Sequence, residues 1–404
     1  MRSRTIEKYL DKYLKLYGKM VFLSGPRQVG KTTLSMSYME KNGGGTYFNW
    51  DILTDQKKFV KNPYFFEEEN QTPGNIVILD EIHKYSRWKN YLKGAFDKFG
   101  KNFSFIVTGS GRLDLFKKGG DSLLGRYLTL PLFPFSVGEW SGELTAFGGF
   151  LSFLNEGLPD KKMSDDVYDS LFELSGFPDP LLRGDKSFYN IWKGERAKLL
   201  FREDIRDATK IREISQLEIL SHLVADRIGS PLSINSLRED VGVAFETVRD
   251  WIKVLSQFYY LFQIRPYAGS LSRTLRKETK VYLFDWAEID DVAIRFENFV
   301  AVHLLKATKT WKSTGEGDLA LRYIRDKEKR EVDFVITEKN KPVCLIEAKV
   351  SDEDLSSNLL FYQNKLNVPV AVQLLHKKGV CKRLSRGNML QWIVSADRFF
   401  EILV

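Results

Sequence analysis

The sequence predicts a multidomain α/β chain, and three observations carry that reading. Short apolar strands alternate with helical stretches from Lys19 to about Trp140, amphipathic helical patterns run from about Asp166 to Tyr267, and strand-like runs return after Lys280. Three regions are therefore expected. Residues 1–150 form an N-terminal P-loop region on a parallel sheet, 166–279 a central helical and winged-helix region, and 280–404 a C-terminal α/β region.

The first region takes its strands from MVFLSG, TYFNWD, NIVILDE, SFIVTGS and RYLTLPL, a rhythm that implies parallel strands joined through helices. The stretch SGELTAFGGFLSFLNEGLPDKKMSDD, rich in Gly and Ser with charges near its end, places a boundary around 145–165. KGERAKLLFREDIRDATK and SQLEILSHLVADRIGS make the centre helical, with breaks at Gly-Ser-Pro and Gly-Phe-Pro. In the last region the strands are VYLFDW, LRYIRD, EVDFVITE, KPVCLIEAKV and PVAVQLL, with the apolar helix RFENFVAVHLLKA between the first two.

Composition narrows the function classes. With 43% hydrophobic and 28% charged residues over 404 positions, the chain can bury a sizeable core. The first twenty residues lack the continuous apolar stretch of a signal peptide, and no later run reaches the ~18 apolar residues of a membrane helix, so a cytoplasmic protein without a membrane partner is expected. Cys344 and Cys381 cannot make a disulfide framework, and four scattered histidines match no zinc spacing. A net charge of +8 suits an anionic partner such as nucleic acid.

Gly25-Pro26-Arg27-Gln28-Val29-Gly30-Lys31-Thr32 satisfies GxxxxGK[ST], directly after the strand MVFLS and before the helix that begins Thr32-Thr33. Each residue type has a physical task there. The glycines let backbone amides wrap phosphates, the helix N-terminus adds favourable potential, Lys31 reaches the terminal phosphates and Thr32 ligates magnesium. A second apolar strand, Ile76–Leu79, ends in Asp80-Glu81, which puts one carboxylate on the magnesium shell and the next beside an attacking water as catalytic base. ATP and Mg are the expected ligands. After the strand Phe103–Val107, Thr108 or Ser110 is a candidate γ-phosphate sensor, and Arg126 a candidate finger that would complete a neighbouring subunit's site in a homo-oligomer.

GPRQVGKTTL, VILDEIHK, IVTGSG and GRY…PLFPFSVGEW resemble the bacterial and archaeal AAA-superfamily ATPases that carry a C-terminal restriction-endonuclease-like domain. Ser175-Gly-Phe-Pro178, LREDVGVAFETVRDWIKVLSQFYYLFQIRPY, Lys280–Asp285, Phe296–Ala301 and Glu331–Val335 extend the resemblance over nearly the whole chain. It implies an AAA-type ATPase domain, a winged helix and a nuclease-like fold.

In the centre, a helix, a turn at Gly242 and a second helix from about Phe245 would present Thr247, Arg249 and Lys253 to DNA, in a stretch (183–280) with 18 Lys/Arg against 13 Asp/Glu. At the C-terminus Asp333 stands on one strand, and Glu347 and Lys349 share one face of another. That is the D…ExK pattern of restriction-endonuclease-like folds, able to hold magnesium, with Glu297 on the preceding helix completing the metal shell. Val332 stands where some relatives have proline, and Gln363 is a candidate substrate contact. Three readings stay open: ATP-controlled DNA binding or Mg-dependent cleavage; an ATP-dependent switch or assembly protein whose nuclease-like domain binds nucleic acid or protein without cutting; or an ATPase that transmits signals without DNA.

Overall fold

The computed structural model describes residues 4–69, 74–109, 123–142, 145–160, 164–209, 211–267 and 278–404. These fall into two compact units, Met1–Phe133 and Pro134–Val404.

The first unit is built on a five-stranded, all-parallel sheet of β1 (Met20–Ser24), β2 (Gly45–Asn49), β3 (Ile76–Asp80), β4 (Ser104–Thr108) and β5 (Tyr127–Pro131). Their order is β2-β3-β4-β1-β5. Every residue of β1 and β3 is buried, as expected of strands covered on both faces, whereas the edge strand β2 alternates. One face packs on an aromatic core in which Phe66 meets Phe99, Phe103 and Phe105 edge-on at 5.2–5.5 Å between centroids. Because the sheet is parallel, the carboxyl ends of β1, β3 and β4 lie along one edge, so Ser24, Asp80 and Thr108 open on the same side.

In the second unit the helices Asp165–Leu174, Lys186–Leu199, Ile214–Ala225, Ile234–Val241 and Phe245–Gln257 precede an eight-stranded mixed sheet. Its strands are β6 (Leu261–Pro266), β7 (Lys280–Leu283), β8 (Leu319–Arg325), β9 (Glu331–Glu338), β10 (Lys341–Lys349), β11 (Val370–Leu375), β12 (Cys381–Arg386) and β13 (Met389–Ser395), in the order β12-β13-β11-β10-β9-β8-β6-β7. The long helix Val292–Ser313 starts at Asp291, whose carboxylate accepts from the amides of Ala293 and Ile294 at 2.9 Å, and it is buried over most of its length. Gly176 of the Ser175–Pro178 motif has a steric reason: a Cβ there would lie 2.3 Å from the Phe135 carbonyl oxygen.

The two units cut across two of the expected regions. Residues 134–150, expected in the N-terminal region, belong to the second unit: Glu139 forms a buried ion pair with Lys306, Val137 donates to His303, and Trp311 donates to the Thr145 carbonyl (2.7 Å). The division expected at 279/280 falls inside a hairpin, since β6 and β7 pair antiparallel and β6 continues onto β8 through Arg265–Arg322 and Pro266–Tyr323. One sheet thus spans the central and C-terminal regions.

His303 shows what this burial imposes. Its Nε2 accepts from the Val137 amide (3.1 Å) and its Nδ1 lies 2.8 Å from the Phe299 carbonyl, which defines a neutral ring carrying its proton on Nδ1. Burial holds its pKa down to about 3, against the support of the Phe299 carbonyl. The unfolded chain takes up a proton at this residue below about pH 6.5 while the native state stays neutral, so stability is lost as pH falls from there toward 3. By pH 5 the loss reaches about 2 kcal/mol. Denaturation at pH 7 and pH 5 should show this fall in the wild type and a smaller one in His303→Gln; equal pH dependence in both would remove His303 as the cause.

Candidate functional site

The P-loop joins the buried end of β1 to the helix Lys31–Lys41, whose N-cap is Gly30 in a left-handed conformation (φ 95°). Gln28 is also left-handed (φ 62°), so the loop turns twice before the helix begins. Gly25 answers to packing: a Cβ there would lie 2.0 Å from the Leu132 carbonyl oxygen. Lys31, buried at the helix start, donates to the Gly25 (3.0 Å) and Pro26 (2.7 Å) carbonyls. Arg27, Val29 and Thr33 lie on the same loop and helix start, with Val29 fully buried.

Asp80 is the centre of this site. Thr32 donates to its Oδ2 at 2.7 Å, Tyr47 donates to the same oxygen at 3.1 Å, and Thr108 donates to Oδ1. The strand order explains the convergence. β4 lies between β1 and β3, which sets Thr108 directly beside Asp80, while β2 brings Tyr47 from the other side. Burial, and then the charge of Asp80, raise the Tyr47 hydroxyl to about 12, so it remains a donor.

Glu81 follows in a left-handed backbone conformation (φ 53°), unusual for a residue with a side chain. Its amide donates to the Thr108 carbonyl (3.1 Å), and His83 Nε2 stands 3.5 Å from its Oε2. Burial, and then the negative charge of Asp80, push its carboxyl up to about 7 against the pull of Lys84 and Lys31. The donor set fits magnesium and a polyphosphate: a hydroxyl–carboxylate pair for the ion, turned loop amides and an ammonium for the phosphates, and a second carboxylate alongside.

Tyr47 is a site residue that the motif reading misses. The available signal was Tyr47 and Asn49 two apart in TYFNWD, hence on one face of a strand beside the acidic one; Asn49 donates to the Tyr47 hydroxyl at 3.2 Å. Arg126 makes a two-point ion pair with Asp97 (Nε–Oδ1 2.6 Å, Nη2–Oδ2 3.0 Å). Ser110 lies outside the described residues.

In the second unit β9 and β10 run antiparallel, and Asp333 and Glu347 stand one step beyond the Phe334–Ile346 pair, so they meet as expected. Lys349 pairs with Glu347 at 2.9 Å, and the Ala348 amide donates to Asp333 Oδ2 at 3.0 Å. Among the described residues Glu347 Oε2 is buried without a hydrogen-bond partner, and burial, then the charge of Asp333, raise its pKa. What the sequence does not announce is Lys280, fully buried on β7. Its Nζ lies 2.6 Å from Glu331, 3.2 Å from Glu297 and 3.6 Å from Asp333.

Burial alone would lower the Lys280 pKa; the charges of Glu297, Asp333 and Glu331 outweigh it and hold the ammonium above its ordinary value. Glu297, expected as a metal ligand, is engaged by Lys280 and by the Tyr282 hydroxyl (2.8 Å). Among the described residues no group of three His, Cys, Asp or Glu is arranged to hold a metal. Lys280 thus supplies the cation beside Glu297, Glu331 and Asp333, while Glu347 is paired with Lys349.

Gln363 is also turned inward: it donates to the Leu390 carbonyl (3.0 Å) and accepts from Gln391 (2.7 Å). On the helix Phe245–Gln257, Arg249 and Lys253 are exposed and Thr247 is half-buried, but Glu246 and Asp250 share the exposed surface. The bases Arg273, Arg276 and Lys277 lie outside the described residues.

Residues 17–141 match the family described as AAA domain, 166–287 match Domain of unknown function (DUF8612), and 294–388 match Domain of unknown function (DUF4143). An uncharacterized protein of Methanocaldococcus jannaschii is 26% identical over 309 residues, which are 68% of this chain and 63% of that relative's length. A second from the same organism is 21% identical over 374 residues, 82% of this chain and 78% of that one. Among solved structures, a katanin chain shows 14% identity over 61% of this chain and 80% of its own, with a TM-score of 0.29. No helix among the described residues is long and apolar enough to cross a membrane. The loop geometry agrees with the AAA-domain match: a P-loop of the AAA type lies within residues 17–141.

Proposed function

We propose that this chain is an ATP-driven switch whose first unit binds and hydrolyses Mg-ATP, and whose second unit binds nucleic acid, without cutting it, according to nucleotide state. The Thr32–Asp80 pair at 2.7 Å, with Glu81 adjoining it, carries the first half. The Lys280 cage carries the absence of cleavage.

Magnesium would supply the positive charge that draws the phosphates and Thr32-Asp80 together. The rest is the chain's own work. Amides at the Gly30 turn and the helix start face the phosphates, and Lys31 exchanges the Gly25 and Pro26 carbonyls for phosphate oxygens. Thr108 and Tyr47 hold Asp80 in one orientation, so little reorganisation is needed as charge develops. Glu81, raised toward neutrality by burial, orients a water and accepts its proton at a carboxylate oxygen.

Nucleotide binding followed with a fluorescent ATP analogue, together with steady-state hydrolysis, tests this. Lys31→Ala should abolish binding; Glu81→Gln should keep it and lose about 100-fold or more in kcat. Hydrolysis surviving in Glu81→Gln would remove Glu81 as the base. Tyr47→Phe should raise the magnesium concentration for half-maximal rate about three- to tenfold, because it deletes one hydrogen bond to Asp80 and leaves the phosphate-binding groups intact. An unchanged magnesium requirement would make Tyr47 a packing residue.

Exposed Arg249 and Lys253, within a stretch of net positive charge, support nucleic-acid binding. Binding of duplex, branched and single-stranded DNA should weaken with salt. Replacing Arg249 and Lys253 by alanine should make the slope of log affinity against log salt shallower by about one for each phosphate the side chain had neutralised. Absence of DNA binding in every nucleotide state would leave a switch that acts on a protein partner.

The cage makes its own prediction. At pH 8 the nucleotide-free wild type should not cleave DNA with magnesium, and in an Asp80→Ala background, which removes the other metal site, Lys280→Met, with three carboxylates left facing one another, should be destabilised and recover on adding micromolar Mn²⁺ while the Lys280 parent does not respond. Cleavage by the wild type, abolished in Glu347→Ala, would restore the nuclease reading.

A further inference from the structure

A buried arginine ahead of the first strand grips the P-loop from outside its motif. Arg4 is 7% exposed; its Nη1 donates to the Val29 carbonyl at 2.9 Å and its Nη2 to the Phe133 carbonyl at 2.5 Å. The first acceptor is the last P-loop residue before Gly30, and the second lies just beyond β5, next to the Leu132 carbonyl that fills the space over Gly25. A guanidinium is suited to this because its planar fork can meet two acceptors on separate segments at once. Burying such a cation among carbonyls is costly unless the geometry is fixed.

The consequence follows from peptide geometry. In a trans peptide the C=O and the N–H point in opposite directions. A Val29 carbonyl held outward on Arg4 therefore turns the Gly30 amide the other way, to the inner side of the loop, where a phosphate oxygen needs a donor. Gly30 follows with φ 95°, a conformation with little intrinsic preference, so an external anchor on the preceding carbonyl selects it.

We propose that Arg4 is a positioning residue of the nucleotide site, which holds the Val29–Gly30 peptide in its phosphate-accepting orientation before nucleotide arrives. This rests on the ATPase reading. Arg4 acts through the loop backbone, so its removal weakens nucleotide binding and leaves Asp80 and Glu81 in place for the chemical step.

The test is the dissociation constant of a fluorescent ATP analogue and the KM and kcat of hydrolysis in wild type, Arg4→Ala and Arg4→Lys, with Lys31→Ala as the non-binding control. Arg4→Ala should raise the dissociation constant and KM about tenfold with kcat within about twofold, the split expected of a group that serves binding alone. Arg4→Lys, which keeps the charge but offers a point donor in place of a fork, should fall between, and it decides the matter if Arg4→Ala does not fold. Millimolar guanidinium should restore part of the affinity of Arg4→Ala and none of that of Lys31→Ala. Affinity within twofold of wild type in the folded variants, or a fall in kcat at constant KM, overturns the proposal. A wild type that binds no analogue overturns the ATPase reading itself.

Discussion

The position of β4 between β1 and β3 is the constraint on which the first unit depends. A parallel sheet aligns strand ends, but neighbours decide which side chains meet. With β4 inserted, Thr108 stands between the P-loop and the acidic strand end and donates to Asp80 from one side, while Thr32 reaches it from the helix and Tyr47 from β2. The Glu81 amide is tied to the Thr108 carbonyl, which carries the chain into the left-handed turn that sets Glu81 beside its neighbour. Had β1 and β3 paired directly, Thr108 would lie beyond reach of that carboxylate, since adjacent strands are ~4.8 Å apart.

The second unit is governed by the cost of burying charge. A lysine with no solvent exposure is sustained only by anions close at hand, and Glu297, Glu331 and Asp333 come from a helix and one strand to meet it. Removing Lys280 strands all three carboxylates, whereas removing one carboxylate leaves the lysine two partners, so the cluster hinges on the ammonium. Lys280 opens β7, whose partner β6 also pairs with β8. The cage and the sheet therefore fasten the same hairpin.

Sequence reasoning reached the chemistry wherever a side chain announces itself through its neighbours. Asp80 and Glu81 end an apolar run and the P-loop has fixed spacing, so both were legible, and the pairing of Asp333 with Glu347 followed from strand periodicity. Lys280 was not legible, because a lysine at the start of a strand usually reaches water and nothing local shows three carboxylates gathering around it. Arg4 was hidden for a different reason: its partners are backbone carbonyls, which every residue owns. The attachment of residues 134–150 to the second unit was hidden for a third reason. Val137, Glu139 and Thr145 are apolar or polar in the ordinary way, and pattern alone cannot say whether they join the core before them or the helix Val292–Ser313 after them.

The two acidic sites answer the same electrostatic problem in opposite ways, and the contrast bears on what each can bind. Asp80 is held by three neutral hydroxyls, which orient a carboxylate without cancelling its charge, so an incoming cation finds the negative potential intact. Glu297, Glu331 and Asp333 are held by an ammonium that the chain itself carries, so an incoming ion would have to compete with a cation already in place. Hydroxyl donors around a carboxylate make a site that waits for a ligand, whereas a buried lysine among carboxylates makes a joint. Asp80 therefore keeps its charge for a cation, whereas the Lys280 cluster ties the start of β7 to β9 and to the helix Val292–Ser313.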